Sequence, residues 1–221
     1  MRKLIGSAFV SLDGVIQGPG GRTEDPTGGF AYSGWMPPLM DEEVGDRIGP
    51  LFAQPFDLLL GRRTYDIFAA YWPFVEGEPK ALGERFDRAA KYVLTRGDQP
   101  LAWENSHRLA GLDALAELKR GEGPDLIVQG SATLYPQLLA AGLIDRLTLM
   151  IFPLVLGPGK RLFGEGTAPR AMRLVEHQLT SRGTIIATYE PAGPVETGSF
   201  YEDRPSPAEL VRREKMADGS W

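Results

Sequence analysis

Three short turns combine glycine, arginine and hydroxyl residues directly after apolar segments of the chain. They are Gly61-Arg62-Arg63-Thr64, Thr95-Arg96-Gly97 and Gly130-Ser131-Ala132. Glycine lets the backbone turn tightly, a guanidinium can pair with an anion, and the NH groups that open a helix favour negative charge. We expect Thr64 and Ser131 each to cap the helix that follows. Together the turns suit a ligand with separated phosphates, such as a dinucleotide.

The composition excludes several other kinds of chemistry. The 221 residues include no cysteine, which removes disulfides, thiol catalysis and thiolate metal sites. The two histidines, His107 and His177, lie far apart in the sequence, so a histidine-rich metal site is not expected. A net charge of −5 argues against nucleic acid as a partner. No apolar run approaches the ~18 residues of a membrane helix, so we predict a cytoplasmic protein without a membrane partner.

The elements that must position these turns alternate between strand and helix. Apolar runs predict strands, and apolar residues at helical spacing predict helices between them. A hairpin is indicated where Thr180-Ser181-Arg182-Gly183 separates the last two strands. The predicted strands span about 3–11, 56–60, 91–95, 125–129, 146–152, 172–179 and 184–190, and the predicted helices begin near 41, 64, 82, 112 and 131.

This pattern predicts an α/β fold with a mixed, mostly parallel central sheet, helices on both faces and a C-terminal antiparallel hairpin. We predict one domain over residues 1–190 and a tail over 191–221 that contains a short helix, 207–216. The stretch 17–34, rich in glycine and proline, is predicted to be a long loop. No Walker loop is present, and no G-x-G-x-x-G follows a strand, so neither an ATPase nor a Rossmann dehydrogenase is supported.

Four segments, in this order and spacing, resemble the dihydrofolate-reductase-like superfamily. The resemblance extends over roughly residues 2–190 and is greatest to the branch that contains the reductase domain of the bifunctional riboflavin-biosynthesis deaminase–reductase and its stand-alone relatives. The segments are Ser11-Leu12-Asp13-Gly14-Val15-Ile16, Leu60-Gly61-Arg62-Arg63-Thr64-Tyr65, Gln129-Gly130-Ser131-Ala132-Thr133-Leu134 and Pro153-Leu154-Val155-Leu156-Gly157-Pro158-Gly159-Lys160-Arg161-Leu162-Phe163.

The resemblance implies a dihydrofolate-reductase-like fold and NADPH as the cofactor. It assigns the adenosine 2′-phosphate to Arg62, helped by Thr95-Arg96, the pyrophosphate to Thr64, and close backbone approach to Gly61. An arginine pair, Arg62-Arg63, suits a phosphate dianion. The remaining implied cofactor contacts are the pyrophosphate turn Gly130, Ser131 and Ala132 with Leu134 nearby, and the nicotinamide-ribose segment Ile16 and Gln17.

The resemblance also implies hydride transfer to a small nitrogen heterocycle, of the pyrimidine or the pteridine type. Ser7 stands where riboflavin-pathway reductases carry a lysine, which weakens the case for a phosphoribosyl-aminopyrimidine. Trp35 and Asp41 are similar to the tryptophan and carboxylate of folate reductases, so Trp35 is a candidate substrate contact. Asp13 and Asp41 are the candidate catalytic proton handlers. A nucleotide-binding protein that has lost catalysis, and a reductase of an unrelated acceptor, remain alternatives. The resemblance further implies a homodimer, which would also cover an exposed edge strand.

Overall fold

Strands and helices alternate along most of the chain in this computed structural model, which describes residues 1–164, 166–200 and 204–220. The strands are β1 Leu4–Ser11, β2 Phe56–Gly61, β3 Lys91–Leu94, β4 Ser106–Leu109, β5 Asp125–Gln129, β6 Arg146–Phe152, β7 Met172–Leu179 and β8 Ile185–Pro191. The α-helices are α1 Glu42–Ile48, α2 Arg62–Tyr71, α3 Lys80–Arg88, α4 Leu112–Arg120, α5 Leu134–Ala140 and α6 Pro207–Asp218.

The strands form one sheet in the order β4-β3-β2-β5-β1-β6-β8-β7. Neighbouring strands from β4 to β6 are parallel, whereas β8 is antiparallel to both β6 and β7. The predicted mixed sheet with a closing hairpin is therefore confirmed. The sequence analysis missed β4, a short edge strand in which His107 and Arg108 are exposed.

Helices cover both faces of the sheet, as predicted. On one face, Leu115 of α4 and Leu138 of α5 pack in a cluster with Leu126 and Leu147. The opposite face, which we call the α1 face, carries two clusters. In the first, Tyr65 of α2 and Phe86 of α3 lie over β2, β3 and β5. In the second, Val44 of α1 lies over the ends of β6 and β8. This burial of apolar side chains is the main source of stability.

Thr64 does not cap α2, because this helix already begins at Arg62 and Thr64 is its third residue. The start of α5 also differs from the prediction. Ser131 does not cap this helix, because the residue before its first turn is Thr133. Ser131 has φ +70°, and its hydroxyl turns away to a neighbouring strand end. Pro136 is then only the third residue of α5, where its missing NH removes no intrahelical hydrogen bond.

The last helix lies where the sequence predicted one. Ser206 caps α6 by accepting a hydrogen bond from the main-chain NH of Glu209, and α6 has no buried residue. Residues 201–203 and 221 of the predicted tail lie outside the described residues. Within the described ranges, no helix combines the length and apolarity that a membrane crossing needs, and no three His, Asp or Glu side chains cluster as metal ligands would.

Candidate functional site

The three glycine- and arginine-containing turns lie side by side. They follow β3, β2 and β5, which are adjacent and parallel in the sheet. Because the carboxyl ends of parallel strands meet at one edge, the turns share that edge, which is where open α/β sheets bind ligands. Arg62, Arg96 and Ser131 are therefore not scattered over different surfaces.

Ser131 joins two of these turns. Its Oγ accepts a hydrogen bond from the main-chain NH of Gly61 at 2.9 Å and lies 2.7 Å from Oγ1 of Thr64. Gly130 has φ +64°, so the chain turns sharply as it leaves β5. A Cβ at Gly61 would lie 2.7 Å from the Ser131 Oγ, closer than real contacts allow. Glycine is thus required at position 61 by this close approach, and the four residues form a small, polar cradle.

The two arginines of the second turn have different surroundings. The guanidinium of Arg62 pairs with Asp66 and donates to the carbonyl oxygens of Gln99 and Pro100 at 2.9 and 3.2 Å. Hydrogen bonding to Asp66 raises the pKa of Arg62. To bind a phosphate, Arg62 would have to exchange these partners. Arg63 is exposed, and within the described part of the chain its side chain forms no hydrogen bond or ion pair.

The turn after β3 is held at its base and open at its tip. The hydroxyl of Thr95 accepts a hydrogen bond from the main-chain NH of Gly97. Arg108 of β4 donates to the carbonyls of Gly97 and Gln99 and so fastens the loop that Arg62 also contacts. Arg96 is exposed, and no residue that the structure describes pairs with its side chain. Arg63 and Arg96 are therefore the two guanidiniums of the predicted set that are available to an anion.

A gap opens between β1 and β5 at the same edge. Pairing of β1 with β6 continues to Ser11 and Phe152, but pairing of β1 with β5 ends at Ser7 and Gln129. The phenol of Tyr135 lies at the point of separation, 2.9 Å from the carbonyl oxygen of Ser7 and 3.1 Å from that of Val128. Burial raises the pKa of Tyr135, so the phenol stays protonated and donates a hydrogen bond to these carbonyl oxygens. The sequence analysis did not single out Tyr135, because its partners lie on other strands.

Three predicted cofactor residues contribute apolar packing beside this gap. Ile16 and Leu134 are buried in the same hydrophobic cluster, and Ala132 packs against it. The main-chain NH of Ile16 donates to the carbonyl of Lys160 at 2.9 Å. The structure therefore brings the segment after β1 and the start of α5 together, as the predicted site requires.

Gln17 fixes the long loop 17–34. Its side-chain amide donates to the carbonyl oxygens of Asp25 and Thr27, each at 2.9 Å, and accepts from the main-chain NH of Lys160. The ammonium of Lys160 contacts Asp25 at 2.5 Å and Thr27 at 2.7 Å. The main-chain carbonyl of Gln17 accepts a hydrogen bond from the indole of Trp35. The loop is thus pinned to the segment that follows β6, a role of Lys160 and Asp25 that sequence reasoning missed.

Trp35 and Asp41 lie in the packing of α1. The ring of Trp35 is buried against Phe152, with centroids 5.6 Å apart. Asp41 caps α1 by accepting from the main-chain NH of Val44 at 2.9 Å. Burial alone would raise the pKa of Asp41, but the nearby Thr180 hydroxyl and the Val44 NH more than offset this and lower it. The Oδ2 atom is buried with no hydrogen-bond partner of good geometry among the described residues.

Asp13 anchors the turn after β1. Its carboxylate accepts hydrogen bonds from the hydroxyl of Ser11 at 2.6 Å and from the main-chain NH groups of Leu156 and Gly157 at 3.1 and 2.8 Å. Arg161 lies 3.6 Å away. These donors, the Ser11 hydroxyl first, lower the pKa of Asp13 to about 2. The group is ionised at neutral pH and has no proton to donate there.

The order of these elements matches one known family. A sequence profile of the RibD C-terminal domain matches residues 2–186. The chain belongs to the RibD C-terminal domain family. The uncharacterized protein YyaP of Bacillus subtilis (strain 168) is 28% identical to this chain over 194 residues, which is 85% of this chain and 94% of YyaP.

Two solved structures have folds similar to that of this RibD C-terminal domain. A protein assigned to riboflavin biosynthesis in Shewanella sp. PV-4 superposes with a TM-score of 0.63 at 19% identity, over 86% of this chain and 99% of that one. Dihydrofolate reductase from Enterococcus faecalis, complexed with NADP(H), gives a TM-score of 0.53 at 16% identity, over 86% of this chain and 96% of that one. The dihydrofolate-reductase-like fold predicted from the sequence is confirmed.

Proposed function

We propose that this protein is an NADPH-dependent reductase that transfers hydride to a small nitrogen heterocycle of the pyrimidine or pteridine type. The observation that carries the proposal is the cradle at the sheet edge, where Ser131 joins Gly61 and Thr64. The guanidiniums of Arg63 and Arg96, which pair with no residue that the structure describes, follow neighbouring strands on the same edge. Membership of the RibD C-terminal domain family and the complex of a fold relative with NADP(H) support the same reading.

The residues present fit a phosphorylated dinucleotide. A side chain at position 61 would collide with Ser131, whereas glycine lets the turns after β2 and β5 lie this close together. Exposed guanidiniums can form charged hydrogen bonds with a phosphate dianion. Thr64 and Ser131 lie in the cradle, where their hydroxyls would face a pyrophosphate.

Bound NADPH would supply the hydride, and this chain's own residues would place donor and acceptor against each other. Ile16 and Leu134 form an apolar wall beside the gap between β1 and β5. Gln17 and Lys160 hold the loop 17–34 against the segment that follows β6. Asp13, with its low pKa, keeps the turn after β1 in position and does not itself provide a proton at neutral pH.

One observation favours a second candidate function, a nucleotide-binding protein without turnover. Both predicted proton handlers have structural partners, since Asp13 holds a turn and Asp41 caps α1. The two candidates differ in a direct measurement. Fluorescence titration should show NADPH binding in both cases, and only the reductase should oxidise NADPH when pterin and pyrimidine acceptors are added. If neither NADPH nor NADH binds at submillimolar concentration, both candidates are wrong.

A further inference from the structure

The connection between β3 and β4 crosses the sheet without a helix. The two strands are adjacent and parallel, so residues 95–105 must return from the carboxyl end of β3 to the amino end of β4. Parallel neighbours are usually joined by a helix. Residues 95–105, all of which the structure describes, contain neither helix nor strand, and we call them the crossover. Because the crossover lacks the hydrogen bonds of a regular element, other parts of the molecule must hold its backbone.

Trp103 anchors the end of the crossover that leads into β4. Its ring is buried, and the ammonium of Lys91 lies 4.4 Å from the ring centroid. The indole NH donates to the carboxylate of Asp87 at 2.6 Å, and the main-chain NH of Trp103 donates to the hydroxyl of Tyr65 at 2.8 Å. This end of the crossover is therefore fixed in the apolar cluster over β2, β3 and β5.

The other end of the crossover carries Arg96, and its backbone is held by Arg108 of β4. The Nη1 atom of Arg108 donates to the carbonyl oxygen of Gly97, and its Nη2 atom donates to that of Gln99 at 2.7 Å. A guanidinium is a rigid planar fork, so these two hydrogen bonds fix the two carbonyls relative to each other. Inside the turn, the main-chain NH of Gly97 also donates to the Thr95 hydroxyl at 3.2 Å. The backbone on both sides of Arg96 is therefore held, while its own guanidinium has no partner among the described residues.

Arg108 reaches the crossover from the sheet beneath it. It is in register with Val93 of β3, which belongs to the same cluster of the α1 face as Trp103. Residues in register on adjacent strands project from the same face, so Arg108 points to the side on which the crossover runs. Arg62 also contacts the carbonyl of Gln99, but it belongs to the predicted cofactor turn itself. Arg108 can therefore be changed without altering that turn.

Holding the crossover in advance affects one cofactor and not the other. A phosphate that binds Arg96 must also immobilise the backbone that carries this residue, and that ordering opposes binding. Because Arg108 already fixes the carbonyls that follow Arg96, less ordering remains when the ligand binds. NADH lacks the 2′-phosphate and gains nothing from the position of Arg96. The contribution of Arg108 should therefore appear as a preference for NADPH over NADH.

We propose that Arg108 is a positioning residue for cofactor selectivity, which holds the carbonyls of Gly97 and Gln99 and thereby keeps Arg96 where the 2′-phosphate of NADPH binds. Arg108 acts through Arg96 and does not itself contact the cofactor. This inference rests on the proposed function, because it takes the edge with the cradle to be the cofactor site. It gives a functional role to β4, a strand that contributes no residue to the predicted site.

The test measures the dissociation constants of NADPH and NADH for the full chain by fluorescence titration at neutral pH. Arg108→Ala should lower the preference for NADPH by about three- to tenfold and leave NADH binding nearly unchanged, which also shows that the variant is folded. Arg108→Lys should lose most of the preference as well, because an ammonium keeps the charge but lacks the fork that spans two carbonyls. Arg120→Ala is the matched control, since it removes the same charge from α4, where Arg120 pairs with Glu117.

A double variant separates positioning from direct contact with the phosphate. In the Arg96→Ala background, Arg108→Ala should cause no further loss of preference, because the residue that it positions is gone. The inference is overturned, with the proposed function intact, if Arg96→Ala or Arg108→Ala leaves the preference unchanged, if their two losses add, or if Arg108→Lys keeps the full preference. Failure of the unchanged chain to bind either NADPH or NADH would instead contradict the proposed function itself.

Discussion

The hydroxyl of Ser131 lies 2.9 Å from the main-chain nitrogen of Gly61 and connects the carboxyl ends of β5 and β2. The same hydroxyl is 2.7 Å from Thr64 at the start of α2. It achieves this from a left-handed backbone conformation, φ +70°, which is unfavourable for a residue with a Cβ. Local backbone strain of this kind is concentrated at functional sites.

Replacing Ser131 should separate the hydroxyl's contribution from the backbone strain. Ser131→Ala loses both contacts and keeps the strained φ, so we expect its free energy of unfolding to fall by about 1–3 kcal/mol. Ser131→Gly loses the same contacts but relieves the strain, and should be the less destabilised of the two. Urea denaturation of the three proteins measures the difference. Equal stability of Ser131→Ala and the unchanged protein would show that the bridge contributes nothing.

The arginines should divide into one that reads the 2′-phosphate and one that supports the loop. Arg96 has no described partner, so Arg96→Ala should weaken NADPH by roughly 1.5–3 kcal/mol and leave NADH nearly unchanged. Arg62 fastens Gln99 and Pro100, so Arg62→Ala should weaken both cofactors. Titrations of each variant with NADPH and NADH decide the matter. A loss confined to NADPH in Arg62→Ala would instead give the phosphate to Arg62.

Acid should weaken the turn after β1 through Asp13. Its pKa is about 2 in the folded protein against an ordinary 3.8, so ionised Asp13 stabilises the fold above pH 3.8. That contribution, up to about 2 kcal/mol, is lost as the pH falls from 3.8 through 2. Asp13→Asn should therefore be less stable than the unchanged protein at pH 7, and the difference should shrink below pH 3.8 and vanish below pH 2. Urea denaturation across this range tests it, and a constant difference at every pH would contradict the role of the charge.

We expect the protein to form a homodimer through the outer strand β7. Leu174 and Leu179 are 47% and 69% exposed on this edge, an arrangement that favours pairing with another chain. Sedimentation at micromolar concentration should give a dimer, and Leu179→Glu should shift it towards monomer. Phe74→Glu is the control, since Phe74 is 74% exposed elsewhere on the molecule. A clean monomer for the unchanged chain would show the prediction to be wrong.

Much of the fold could be predicted because the core strands are continuous apolar runs. β6 begins and ends at the predicted residues, and β2 is buried along its whole length. The strand at Ser106–Leu109 could not be found this way, because half of it is exposed and polar. With four residues and only one of them buried, β4 is too short to leave an apolar pattern.

The site was predictable in its residue types and not in its contacts. That Arg62 lies four residues before Asp66 was visible in the sequence, as an i,i+4 pair. The bond from Ser131 to Gly61 spans 70 positions, and only the sheet brings these residues together.

The side chain of Gln17 holds one conformation of a segment whose composition is typical of a flexible loop. Glycines supply much of the segment 17–34, yet one amide holds two of its carbonyls and the backbone of Lys160. Losing that amide would remove three hydrogen bonds of the segment in a single mutational step and leave the contacts of Lys160 with Asp25 and Thr27 to hold it. A descendant of this protein could in that way broaden the range of molecules it admits without altering any residue of the sheet.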